Sequence, residues 1–147
     1  MATGLQRLVR RAVLSTLKAD APLIAIVPAA RIYGQSTPSA PVWPFIKMGG
    51  PQTLPRRAAG MPFSGVVTFD VHAFAKPRLS GTAIAETAED YAGRIGAAIE
   101  SVLDSARLAL EGGGYAGLRL SEMRLLQDAD EADAYHYFCQ VTATCAA

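Results

Sequence analysis

Val67-Thr68-Phe69-Asp70-Val71-His72-Ala73-Phe74 alternates apolar and polar side chains without a break. Side chains on a strand point to opposite faces in turn, so Val67, Phe69, Val71 and Ala73 belong to a buried face and Thr68, Asp70 and His72 to the other. Ser64 to Phe74 is therefore read as a half-buried strand. Near the C-terminus Tyr135, Tyr137, Cys139, Val141 and Ala143 alternate with His136, Phe138, Gln140 and Thr142. Leu118 to Leu126 precedes it as a strand with one bulge, across an acidic turn at Asp128 to Ala134, and the pair is read as a hairpin.

Outward from these strands the periodicity changes. Leu5, Leu8, Val9, Ala12, Val13, Thr16 and Leu17 repeat at helical spacing, and Ile84, Ala88, Tyr91, Ile95, Ile99, Val102 and Leu103 do so within Thr82 to Ser105. Asp20 before Ala21-Pro22 has the form of an N-cap, which predicts a short second turn of helix over Pro22 to Val27. Val42 to Met48 has strand composition, with Pro44 restricting it to an edge or a strand start. Gly49 to Pro62 holds three prolines, three glycines and Arg56-Arg57 without periodicity, and is read as a long exposed loop. The fold expected is α+β: a mainly antiparallel sheet of about four strands with two main helices on one face. No linker divides residues 1–147, so a single domain is expected.

Composition narrows the function. Half of the residues are hydrophobic and 18% are charged, which describes an ordered core. The 14 basic and 13 acidic residues leave a formal net charge of +1, so no global field draws the chain to nucleic acid or to an anionic membrane. Two cysteines are too few for a disulfide framework, and no apolar run is long enough to span a bilayer. A soluble protein made in the cytoplasm is the expectation.

Reactive constellations are missing from the pattern. His72 and His136 lie opposite the apolar alternation of their strands, as solvent-facing or interface residues. His136 and Cys139 are predicted on opposite faces and cannot share a metal. Asp128-Ala129-Asp130-Glu131-Ala132-Asp133 begins like a calcium loop, but Asp133 stands where the turn glycine belongs and Cys139 where the bidentate glutamate belongs. Gly112-Gly113-Gly114 lacks the lysine of a phosphate loop. No catalytic residue, cofactor or metal ligand is assigned, and no enzyme is expected. Arg56 and Arg57 are the candidate partner-contact or channel residues. Arg31, Lys47, Lys76 and Arg78 either join them in a basic patch or are scattered solubilising charge.

The order of elements, with the phrases Leu17-Lys18-Ala19-Asp20-Ala21-Pro22-Leu23, Arg31-Ile32-Tyr33, Ala40-Pro41-Val42-Trp43-Pro44-Phe45-Ile46, Val67 to Phe74 and Tyr135-His136-Tyr137-Phe138, resembles the phage tail-completion family. That family includes siphophage tail terminators, the lambda minor tail protein U and gene-transfer-agent relatives. The resemblance implies a structural virion protein without catalysis, placed in the neck of the tail. It implies a homohexameric ring that caps the head-proximal end of the tail tube, stops tube polymerisation and meets the head connector. Its partners would be other copies of itself, the tail tube protein and a connector or stopper, with non-specific DNA contact from Arg56-Arg57 in the channel. A connector or stopper of the same particle is the nearest alternative reading, and a small-molecule or metal-binding regulatory domain the next.

Overall fold

The computed structural model describes residues 4–58 and 61–146. Helix α1 (Leu5–Ala19) buries Leu5, Val9, Val13 and Leu17, the stripe its periodicity predicts. It stops because Asp20 adopts extended backbone and turns its carboxylate to the next helix, accepting a hydrogen bond from the Leu23 amide at 3.1 Å. That cap starts the short α2 (Ala21–Ile24), with Pro22 in the first turn where no amide proton is needed. A single 3-10 turn, Ala29–Arg31, leads into the sheet.

In chain order the strands are β1 (Ile32–Tyr33), β2 (Phe45–Met48), β3 (Gln52–Ala58), β4 (Met61–Ala75), β5 (Arg78–Ser80), β6 (Ala83–Glu86), β7 (Arg107–Ala109), β8 (Tyr115–Gln127) and β9 (Tyr135–Ala146). The main sheet has the order β1-β2-β4-β9-β8-β7, and β3 pairs with β4 beside β2. Among the described residues it is seven-stranded and mixed, since β1 and β2 run parallel while the other pairs are antiparallel. The expectation of about four mainly antiparallel strands is thus corrected. The strands β1, β2 and β7 hold too few residues to display a period of two.

The expected loop at 49–62 is corrected over 52–58 and 61–62, which are strand, while 59 and 60 lie outside the described residues. Gly49 closes onto β4 by donating its amide to the Asp70 carbonyl at 2.7 Å, and β3 then pairs with the first half of β4. Pro55 is tolerated because β3 is an edge strand whose other side makes no ladder among the described residues. The register shifts between Arg56 and Ala58.

Helix α3 (Ala88–Leu103) starts later than its apolar spacing suggests. Thr87 caps it by accepting from the Asp90 amide at 3.2 Å, and Glu89 and Asp90 complement the positive end of the helix dipole. The preceding Ala83–Glu86 is a strand instead, hairpinned to β5 through Gly81, whose φ of 65° suits a residue without a Cβ.

One core joins both main helices to one face of the sheet. Val9, Val13 and Leu17 from α1, Ile95, Ile99 and Leu103 from α3, Val67, Phe69 and Val71 from β4, and Cys139, Val141 and Ala143 from β9 are all buried in it. Strands β8 and β9 form the expected hairpin, with the bulge between Leu120 and Met123. Gly112, Gly113 and Gly114 all have positive φ on the way from β7 to β8, which accounts for the glycine run.

Candidate functional site

The sheet face turned away from the helices carries an aromatic cluster. Phe45 of β2 lies opposite Phe74 of β4, and their rings stack at 4.8 Å with an interplanar angle of 14°. Phe74 stacks in turn on His136 of β9 at 4.3 Å, and Trp43 meets Phe45 edge-on at 5.1 Å. In this register His72 pairs with Phe138 and Phe74 with His136, which makes the two histidines diagonal neighbours. Their Nδ1 and Nε2 atoms are 2.7 Å apart, a hydrogen bond in which one ring donates and the other accepts.

Both imidazoles are half-buried and held toward the neutral form. Burial is the main cause for His136, with His72 and Lys47 adding to it against Asp128, and the result is a pKa pushed down to about 4. For His72 burial again lowers the value, with Asp70 opposing and Lys47 assisting. The sequence assigns the correct face to each histidine but does not bring them together. The signal was present in their outward positions on two strands that become neighbours.

Three of the basic residues surround this cluster. The Arg31 guanidinium donates to the Trp43 carbonyl at 3.2 Å, Lys47 Nζ lies 5.3 Å from the centre of the Phe74 ring, and Lys76 Nζ lies 4.8 Å from that of Trp43. Arg78 stands apart. Together with Arg94 it binds Glu86, and the two Arg94 bonds, from Nε and Nη2, are each 2.9 Å long. Those bonds hold the Glu86 carboxyl below the usual carboxylate range. Arg56 and Arg57 lie on β3, and their side chains fall outside the described residues.

Among the described residues no group of three or more His, Cys, Asp and Glu side chains could hold a metal ion. In the acidic turn Asp128 accepts from the Glu131 amide at 3.1 Å, so this carboxylate shapes the turn. His136 points outward and Cys139 inward, on opposite faces as expected. The surface hollows are open, one along Arg10, Arg11, Leu14 and Lys18 of α1 and another between Thr87, Gln127 and Tyr135.

Two features suit contact with other chains. The β5–β6 hairpin is a two-stranded sheet of its own beside the main one, and its Leu79 and Ile84 are 59% and 61% exposed. On the main sheet β7 covers β8 only from Tyr115 to Gly117, and Ala106 and Ser105 extend the cover to Leu118. From Ser121 to Gln127 that side of β8 has no strand partner among the described residues, and every residue is exposed.

The family model for tail completion protein gp17 matches residues 11–146, from α1 to the end of β9. The chain belongs to that family. It is accordingly a structural protein of a phage tail, located in the virion. Among solved structures, a chain from the virion of a native gene transfer agent particle is 20% identical and superposes with a TM-score of 0.76. The match covers 99% of this chain and 100% of that one, and shows a shared fold. A second solved chain, 18% identical, gives a TM-score of 0.57 with 95% of this chain and 94% of that one covered. No curated protein matches significantly.

Proposed function

We propose that this tail completion protein is a tail terminator. Copies close into a ring, on this reading a hexamer, at the head-proximal end of the tail tube. The ring ends tube polymerisation and offers its other face to the head connector. Membership in the tail completion family over residues 11–146 carries the reading. The exposed hairpin and the unpaired stretch of β8 support it, because a ring needs two different surfaces on each copy that meet under rotation.

The role requires no chemistry from the chain, and we read it as a non-enzymatic single domain synthesised in the host cytoplasm. Arg56 and Arg57, on the β3 edge, are assigned to the channel, where they touch passing DNA non-specifically through its phosphates. Electron microscopy of the purified protein mixed with tail tubes tests the role. Density capping the end distal to the tip is expected. Tubes that continue to elongate in its presence would refute it, and binding to the head portal alone would assign the chain to the connector instead.

A further inference from the structure

We infer that the β5–β6 hairpin of one copy lies along the open edge of β8, Ser121 to Gln127, in the next copy around the ring; this rests on the ring reading above. The hairpin is the donor. An isolated two-stranded hairpin is marginally stable in water and gains stability when an apolar face is covered. Here Leu79 and Ile84 are cross-strand partners, so they share one face, and each is about 60% exposed. From Leu79 to Ala85 the arm has no charged residue, whereas exposed strand edges ordinarily carry charge or proline that blocks pairing.

The edge of β8 is the acceptor. Beyond Leu120, whose amide is still taken by the Asp104 carboxylate at 3.2 Å, the outer side of β8 carries no ladder among the described residues. Three of its residues are large, apolar and exposed: Met123 at 48%, Leu125 at 40% and Leu126 at 38%. Met123 and Leu125 lie opposite Cys139 and Tyr137 and so share the helix-side face of the sheet. A strand added at this edge would extend that face, placing Leu79 and Ile84 against Met123 and Leu125.

A second copy, rather than a different protein, is the occupant because donor and acceptor occur on the same chain at different places. The arm's base and the end of β8 lie at one end of the sheet. Lys76 reaches Glu131 of the β8–β9 turn at 3.5 Å, and Thr87 shares a hollow with Gln127. A contact between two different patches is heterologous, and when its rotation closes, every arm and every edge in the ring is used. A partner of another kind would leave one of the two uncovered on each copy.

Cysteine cross-linking of the full chain tests this, because the native Cys139 and Cys145 are buried. Ile84→Cys protein and affinity-tagged Leu125→Cys protein are mixed, alone and on tail tubes, and oxidised. The expected product is a mixed disulfide dimer, with neither variant giving a comparable yield by itself. Separately, Leu79→Asp with Ile84→Asp should keep the far-ultraviolet spectrum of the folded chain and raise the concentration for half-assembly at least tenfold. Rings of normal mass that give no mixed disulfide, or that form unimpaired from the double Asp variant, would overturn the arm while leaving the ring intact. A chain that stays monomeric by native mass and on tubes would overturn both.

Discussion

The ring of Tyr137 occupies the space that a side chain on Gly96 would need: a Cβ built there falls 2.5 Å from Tyr137 Cδ2. This contact brings α3 against β9 and sets how closely the helix sits on the sheet. Gly93, one turn earlier on the same helix, meets Leu125 at an ordinary 3.7 Å.

The two glycines therefore predict opposite outcomes. Gly96→Ala should destabilise the fold by about 1–3 kcal/mol through overpacking. Gly93→Ala should be neutral or stabilise it by up to about 1 kcal/mol, since alanine is the better helix former. Urea unfolding of both variants checks the pair. Equal effects would show that the Tyr137 contact does not limit the approach of α3.

Stability should fall with acid before the carboxylates titrate. His72 and His136 bind protons less readily in the folded chain than in the unfolded one, where the ordinary value is 6.5. The unfolded state thus takes up more protons as pH drops from about 7 toward 5, and folding loses free energy across that window. His136→Gln should flatten the dependence. Denaturation midpoints at pH 7, 6 and 5 measure it, and an unchanged slope in the variant would remove the histidine pair as the cause.

Loss of the α3 cap should be felt across the whole domain. Thr87→Ala removes the hydroxyl that accepts from the Asp90 amide and should cost about 1 kcal/mol, while Thr87→Ser should recover most of it. Thermal unfolding monitored by circular dichroism distinguishes them.

Both thiols should be silent in the native protein. Burial raises Cys139 to about 11 and shifts Cys145 upward as well, so little thiolate is available at neutral pH. They sit on one strand, six positions and therefore about 20 Å apart, too far for a disulfide. A chromogenic disulfide reagent should titrate neither before denaturant is added and both afterwards.

Long elements were legible from sequence because their residues repeat one instruction many times. Val67 to Ala73, Tyr135 to Ala143 and the Leu5 to Leu17 stripe are read the same way by pattern and by structure. Gln52–Ala58 was not, because Pro55 and Arg56-Arg57 carry no alternation and only its neighbour β4 makes it a strand. Ala83–Glu86 has a helical pattern and is a strand for a related reason. Ile84 falls in phase with the apolar stripe of α3, yet Thr87 stops the helix from extending back to it. The aromatic and histidine cluster depends on β2, β4 and β9 lying side by side, which no local spacing encodes.

The ladder between β4 and β9 runs without interruption from Gly65↔Cys145 to Ala75↔Tyr135. Antiparallel hydrogen bonds stand perpendicular to the strands, so tension along the strand direction loads the entire ladder in shear and must break its bonds together. The β5–β6 arm has a few rungs only and would peel from its end one rung at a time. Tension along these two strands would thus meet a rigid strut in the body of the domain, with the compliance confined to the β5–β6 arm.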